Sequence, residues 1–208
     1  AKNESRQSIG CSRSFYLILY LTLTKNKLLL FRRKDIKMKR LPKYTPAEVR
    51  NDPYGFTYKE MSEVIGENEA KALYEELYKQ LPRKKNLSML VKNICKSSDT
   101  EKYVYELKDN KYIETVFIKR RDGGTVCVST QVGCPVGCIF CESGRNGFVR
   151  NLTSSEIVQQ IILLRRKVNR IVFMGMGEPL FNYDNLIKAI HILRDRYGPV
   201  SYTHLTLP

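Results

Sequence analysis

The sequence predicts an α/β fold that begins a parallel sheet with crossover helices, behind a small helical domain and a β-hairpin. After residue 120, short runs rich in β-branched residues alternate with stretches of helical periodicity, an order typical of strands joined by helices. A block of helix signals and a pair of strand signals precede this part. Because parallel strands joined through a helix form right-handed crossovers, the loops that follow the strands should meet at one edge of the sheet.

The first block, residues 38–98, is predicted to be a small basic helical domain. Thr57 and Glu60 have the spacing of a capping box ahead of a short helix, which Gly66 should end. A second helix is indicated by apolar residues at helical spacing, namely Ala70, Leu73, Leu77 and Leu81. We also predict a third short helix over residues 87–94.

A β-hairpin should follow this helical block. Residues 103–107 and 112–118 are rich in β-branched and aromatic residues, and the polar run 108–111 separates them. A further strand is predicted over residues 125–130. That strand leads directly into a loop rich in cysteine.

The chain then predicts helix, strand and helix. Thr153 and Glu156 form another capping-box pattern, and the helix behind it carries apolar residues on one face, namely Ile157, Ile161 and Leu164. Residues 170–174 read as a short buried strand, and a further helix opens at Asn182 or Asp184. Glycine-containing loops therefore lie at the carboxyl ends of both predicted strands, where α/β proteins gather their active residues.

The cysteine loop contains the most informative motif of the chain. Cys134, Cys138 and Cys141 are separated by three and then two residues. Three thiolates can hold three corners of a four-iron cluster, which leaves one iron open to a small molecule. The spacing therefore indicates a catalytic cluster.

Two plainer interpretations of the cysteines remain. A structural zinc site normally has four protein ligands, and the remaining candidates are Cys127, the one further thiol nearby, and two unpaired histidines, His191 and His204. A disulfide framework is the other interpretation, although three cysteines within eight positions of a basic 208-residue chain are not typical of one.

Three blocks of sequence carry a family resemblance. They are residues 127–134, which include the first cysteine of the motif, residues 147–153, and the Gly-Met-Gly-Glu-Pro segment 175–179. The cysteine pattern resembles the radical S-adenosylmethionine (SAM) superfamily, and the three blocks in this order resemble its RlmN/Cfr group of RNA adenine methyltransferases. The resemblance runs from about residue 112 to about residue 193. It implies a partial β/α barrel, of which this chain holds about the first two strand and helix units.

The resemblance also implies roles for individual residues. Gly177 and Glu178 would bind the methionyl end of SAM, and Glu114 would take a proton from the substrate carbon. Cys127 would attack a protein–RNA adduct and form a disulfide when the methylated product is released. The 4Fe-4S cluster would be bound by Cys134, Cys138 and Cys141. Without the resemblance, Cys127 reads as a buried strand thiol, Glu114 as a solvent-facing strand residue and Glu178 as part of a turn.

The implied activity is methylation of carbon 2 of an adenine in 23S rRNA, with tRNA as a second candidate substrate, through a methyl-cysteine intermediate. Carbon 8 is the alternative position within the group. An electron donor such as flavodoxin or ferredoxin would reduce the cluster. No cysteine follows Cys141, so the methyl-carrying cysteine is absent and we expect the chain to be an inactive fragment. The alternatives are a radical SAM enzyme that acts on a protein or metabolite, and a zinc-binding RNA-binding module without catalysis.

Charge and chain ends complete the sequence predictions. The net charge is +15, which favours a polyanionic partner such as RNA, although the basic linker 83–85 fits a phosphate contact and a solvated surface equally well. We expect residues 1–37 to be upstream or non-native sequence, 99–199 to be the radical SAM core and 200–208 to be an artefactual tail.

The amino-terminal segment, residues 1–37, also bears on the location of the protein. The apolar stretch 15–24 is shorter than the about 20 residues that span a bilayer. Export would also separate an oxygen-sensitive cluster from its electron donors. We therefore predict a cytoplasmic protein without a membrane partner.

Overall fold

A computed structural model describes residues 44–79, 86–121, 123–145 and 147–197 of the chain. The predictions for residues 1–37 and 200–208, and for the basic linker 83–85, lie outside the described residues. None of the helices within the described residues is long and apolar enough to cross a membrane.

Three helices open the described chain, and two of them are the helices that the sequence predicts. They are α1 (Pro46–Asn51), α2 (Tyr58–Ile65) and α3 (Glu67–Lys79). The capping box of Thr57 and Glu60 is formed at the start of α2. Gly66 follows the helix with a φ of 84°, a left-handed backbone angle that favours glycine.

The third predicted helix, over residues 87–94, is wrong. Residues 89–94 belong to strand β1 (Met89–Lys96), which pairs antiparallel with β2 (Thr100–Leu107). Short apolar runs fit helix and strand patterns alike, and here pairing with a neighbouring strand decides the structure. The predicted domain boundary near residue 98 falls in the turn between these strands, and the described residues all belong to one compact unit.

A five-stranded mixed sheet forms the centre of this unit. Besides β1 and β2 it contains β3 (Tyr112–Arg120), β4 (Gly123–Cys127) and β7 (Val168–Val172), in the order β1-β2-β3-β4-β7. β1 to β4 pair antiparallel, which confirms the predicted hairpin of β2 and β3, whereas β4 and β7 are parallel. The mixed α/β fold class is therefore confirmed.

Short elements connect β4 to β7. A two-stranded sheet is formed by β5 (Gln131–Gly133) and β6 (Phe148–Asn151), with the four-residue helix α4 (Glu142–Arg145) between them. Helix α5 (Ser154–Leu164) then crosses back to β7, and α6 (Tyr183–Tyr197) ends the described chain. Thr153 caps α5 through the predicted capping box with Glu156.

Helix α5 is fastened to the sheet by a buried amide. The Gln160 side chain is fully buried, and its Oε1 accepts hydrogen bonds from Thr115 Oγ1 at 2.7 Å and from the Ser129 amide at 2.9 Å. Its Nε2 donates to the Ser129 carbonyl at 3.0 Å. Since unpaired buried polar groups are costly, these bonds fix α5 against β3 and against the segment that follows β4.

The amino-terminal helical segment contacts α5 and α6. Asp52 accepts a hydrogen bond from the Ser155 hydroxyl. The Lys188 ammonium of α6 lies 4.4 Å from the ring centroid of Tyr44 and 4.6 Å from that of Phe56, a cation–π geometry. The helical part therefore shares its packing with the α/β part.

Candidate active site at the carboxyl ends of β4 and β7

Two loops meet where the parallel strands β4 and β7 end. The Gly175 amide donates to the Val128 carbonyl at 3.1 Å, and the Thr130 amide donates to the Met176 carbonyl at 2.9 Å. The Val128 amide also bonds the carbonyl of Val172, the last residue of β7, at 2.8 Å. These bonds join the segment that leads to the cysteine motif to the segment that contains Gly177 and Glu178.

Glycine is required at two positions of the second loop. A Cβ atom at Gly175 would lie 2.8 Å from the amide nitrogen of Ser129. At Gly177, where φ is +102°, it would lie 2.6 Å from the Cβ of Gln131. Such separations are far shorter than van der Waals contact, so the loops approach as closely as bare backbone permits.

Glu178 is half-buried at the end of this loop. Its amide donates to Gln131 Oε1 at 2.8 Å, and its carboxylate Oε1 accepts from the Leu180 amide at 3.2 Å. The carboxylate thereby caps a short 3₁₀ helix, Pro179–Asn182. Glu178 thus has a structural role, and its backbone position depends on Gln131.

The cysteine motif forms a chain of tight turns between β5 and β6. The Cys141 amide donates to the Cys138 carbonyl at 3.0 Å, and the Cys134 amide donates to the Gly147 carbonyl at 3.2 Å. Cys134 and Cys141 are half-buried, Cys138 is exposed, and all three are free thiols. Between them, Phe140 is 83% exposed. The loop thus carries three free thiols, of which that of Cys138 is exposed, and one exposed apolar side chain.

The three thiols are the candidate ligands of the metal centres that the sequence suggests. Among the described residues, no group of three or more His, Cys, Asp or Glu side chains is gathered closely enough to hold one metal ion. A 4Fe-4S cluster makes a different demand, because each thiolate binds a separate iron. Three free thiols on one exposed loop fit that donor set.

Cys127 is the last residue of β4. It lies opposite Val116 of β3 and beside Val172 of β7. Burial raises the pKa of its thiol to about 11, against a small opposing effect of the Met174 backbone. The thiol is therefore protonated near neutral pH, and reaction as a nucleophile requires that it lose this proton.

Glu114 lies on the same face of the sheet as Cys127. It precedes Val116 by two positions on β3, and Val116 is the direct partner of Cys127; residues two apart on a strand share a face, and diagonal neighbours are about 7–8 Å apart. The Glu114 carboxylate accepts from the Lys102 ammonium at 3.0 Å and is 46% exposed. The two predicted catalytic residues are thus neighbours on the face opposite the Gln160 contacts.

Sequence reasoning missed the polar side chains that brace the two loops. Gln131 is 1% exposed and Asn182 is 3% exposed. Asn182 Nδ2 donates to the carbonyls of Thr130 and Leu152, both at 2.7 Å. Gln131 lies within a motif block, but its partners are 20 and 47 positions away in the chain. A single sequence gives no signal for such contacts.

An arginine holds the strand that returns from the cysteine loop. Arg150 of β6 donates to Asp109 in the β2–β3 turn at 2.7 Å and to both Glu156 carboxylate oxygens at 2.8 and 2.9 Å. The hydrogen bonds that Arg150 donates to Glu156 and Asp109 raise the pKa of Arg150, and the bond from Arg150 lowers the pKa of Asp109. The hairpin turn, β6 and the start of α5 are thereby tied together.

Known proteins resemble the part of the chain that carries this site. The family model of the Radical SAM superfamily matches residues 128–207. A probable dual-specificity RNA methyltransferase RlmN of Thermotoga sp. strain RQ2 is 47% identical over 126 residues, which cover 58% of this chain and 37% of that protein. The corresponding protein of Pseudothermotoga lettingae is 42% identical over 145 residues, covering 68% and 40%.

A solved structure of a radical SAM methyltransferase also resembles the chain. The crystal structure of a radical SAM methyltransferase from Sphaerobacter thermophilus matches with a TM-score of 0.62 and 31% identity, over 69% of this chain and 52% of that one. The chain spans less than half of the length of the curated relatives described above. The similarity to this superfamily implies SAM and a 4Fe-4S cluster as cofactors. Over the part that it spans, the chain is similar to the radical SAM superfamily and to RNA methyltransferases named RlmN.

Proposed function

We propose that this chain provides the cofactor-binding part of an RNA methyltransferase that modifies carbon 2 of an adenine in 23S rRNA, with tRNA as a second substrate. The observation that carries the proposal is the junction of the two loops, where the Thr130 and Gln131 amides both donate to the Met176 carbonyl, at 2.9 and 3.2 Å. This junction brings the cysteine motif and the Gly177–Glu178 segment to one end of the sheet, in a chain related to proteins named RlmN.

The cysteine loop would hold the cluster through Cys134, Cys138 and Cys141. Bound cluster and SAM supply one-electron chemistry, which adenine requires because its electrophilic ring carbon cannot attack a methyl sulfonium directly. The exposed loop also leaves the cluster site open to an electron donor such as flavodoxin or ferredoxin. A cytoplasmic location fits this requirement for a reducing partner.

The second loop would bind the methionyl end of SAM. Gly177 allows close approach of the backbone, and the half-buried Glu178 carboxylate has accepting capacity beyond its bond to the Leu180 amide. A charge-assisted hydrogen bond to an α-ammonium group would use it. The role of this loop is therefore to orient the cofactor.

The sheet face with Glu114 and Cys127 would meet the substrate base. Glu114 would accept the proton that leaves the substrate carbon, and its ion pair with Lys102 holds the carboxylate in place. Cys127 would attack the protein–RNA adduct after it loses its proton. Its disulfide partner, the methyl-carrying cysteine, does not follow Cys141 in this sequence, so this chain alone should not complete methyl transfer.

RNA is the substrate class that the charge supports. Residues 38–208 contain 27 Lys and Arg against 19 Asp and Glu, a net charge of +8, which favours binding to a phosphate backbone with an affinity that falls steeply as salt increases. The target adenine must be single-stranded or displaced from its stack to reach the sheet face. This requirement suits a loop of a large folded RNA.

SAM cleavage and RNA binding test the proposal together. The anaerobically reconstituted, reduced chain should convert SAM to 5′-deoxyadenosine, and a variant with Cys134, Cys138 and Cys141 changed to alanine should not. It should also bind an rRNA fragment with a steep salt dependence. Cleavage without RNA binding would instead indicate a radical SAM enzyme of proteins or metabolites, and RNA binding without cleavage would indicate a non-catalytic module.

A further inference from the structure

Gln131 contacts three segments of the candidate site at once. Its side chain is 1% exposed, its Oε1 accepts from the Glu178 amide at 2.8 Å and its Nε2 donates to Asn151 Oδ1 at 2.8 Å. The residue itself begins β5, three positions before Cys134. The two ends of one buried amide therefore link the loop after β7 and strand β6 to the strand that enters the cysteine motif.

Gln131 packs closely against the loop that contains Gly177 and Glu178. The Gln131 amide donates to the Met176 carbonyl at 3.2 Å. At Gly177, an added Cβ would lie 2.6 Å from Gln131 Cβ and 2.8 Å from its Cγ. The loop thus rests directly on the Gln131 side chain, so a change in that side chain must move the loop or leave its polar groups unpaired.

Only an amide satisfies both partners. The Glu178 backbone amide is a donor and needs an acceptor. Asn151 Nδ2 already donates to the Phe181 carbonyl at 3.3 Å, so Asn151 turns its Oδ1 towards Gln131, and this oxygen needs a donor. Glutamate would keep the acceptor and lose the donor, and leucine would lose both. The chemistry of the site therefore specifies glutamine.

We propose that Gln131 is a positioning residue that sets where the Gly177–Glu178 segment lies relative to the cysteine loop, and thereby sets the affinity for SAM. The part concerning SAM rests on the proposed function of that segment. Gln131 acts through the Glu178 backbone and through Asn151, and it needs no contact with the reacting atoms.

The test compares Gln131→Leu with a matched change, Gln159→Leu. Gln159 is also a fully buried amide, but its partners are Ser88 and Ser155, at 2.7 to 2.8 Å. Both substitutions remove a buried amide, so both should lower stability, whereas only the first removes the acceptor of the Glu178 amide. Gln131→Glu keeps that acceptor and serves as the conservative variant.

Two readouts separate this proposal from the proposed function. The first is hydrogen exchange across residues 174–182 in the chain without cluster or SAM. Exchange at the Glu178 amide should quicken about tenfold or more in Gln131→Leu, and should be unchanged in Gln159→Leu and slower in Gln131→Glu than in Gln131→Leu. The second is the dissociation constant for SAM in reconstituted protein, which should rise about tenfold in Gln131→Leu at unchanged iron content.

Equal exchange at Glu178 in the two leucine variants would overturn the positioning role. Faster exchange together with unchanged SAM affinity would overturn the link to the cofactor. If the unsubstituted chain does not bind SAM, the proposed function of the segment fails, and the exchange comparison alone still decides whether Gln131 positions the loop.

Discussion

Replacing Gly177 by alanine is the sharpest perturbation of the loop junction. The residue has a φ of +102°, and the new Cβ would lie 2.6 Å from Gln131 Cβ and 2.8 Å from the Gln131 amide nitrogen. An L-residue with this backbone angle costs about 1–2 kcal/mol, and overpacking against a buried neighbour costs about 1–3 kcal/mol more. The free energy of unfolding should therefore fall by about 3 kcal/mol.

Gly66→Ala is the matched control for this change. Gly66 also has a positive φ, +84°, but nothing lies within 4 Å of an added Cβ. Its substitution should cost only the conformational part, about 1–2 kcal/mol. Equilibrium denaturation of both variants measures the difference, which is the contribution of the close approach at Gln131. A Gly177→Ala variant that unfolds no more easily than Gly66→Ala would refute the packing described for this junction.

Two further predictions concern the elements around the site. Arg150→Ala should lower the free energy of unfolding by about 2 kcal/mol, because the Glu156 side chain, only 7% exposed, loses its guanidinium partner. Arg145→Ala, which breaks an exposed pair with Glu142, should cost below about 0.5 kcal/mol in the same denaturation assay, and equal losses in the two variants would contradict the role of Arg150. Since burial raises the pKa of Cys127 to about 11, its alkylation at pH 8, followed by peptide mass spectrometry, should be much slower than that of the exposed Cys138. The buried, protonated Cys127 thiol should contribute fully to the free energy of unfolding below the ordinary pKa of cysteine, and this contribution should be lost as the pH rises towards 11. Equal alkylation rates of Cys127 and Cys138 at pH 8 would disprove the raised pKa.

The sequence was a good guide wherever a local signal determines local structure. The capping boxes at Thr57 and Thr153 predicted the starts of α2 and α5, since a side chain three residues away satisfies the first free amides. The hairpin of β2 and β3 followed from its strand and turn residues in the same way. These features depend on contacts within a few positions of the chain.

Features that depend on distant contacts were missed or misread. Residues 87–94 have apolar positions compatible with a helix, and only the ladder of residues 89–94 with β2 makes these part of strand β1. The brace at Gln131 joins residues up to 47 positions apart. The raised pKa of Cys127 comes from burial, which a sequence position does not reveal. Motifs thus predict which residues take part in function, and the structure was needed to find what holds them in place.

The central claim is that Cys134, Cys138 and Cys141 bind an iron–sulfur cluster. The most direct measurement is the iron, sulfide and zinc content of anaerobically reconstituted protein, with its ultraviolet–visible spectrum, beside the variant in which all three cysteines are alanine. We predict about four irons and four sulfides per chain, lost in the variant. Zinc without sulfide, or iron retained by the triple variant, would contradict the claim and the radical mechanism that depends on it.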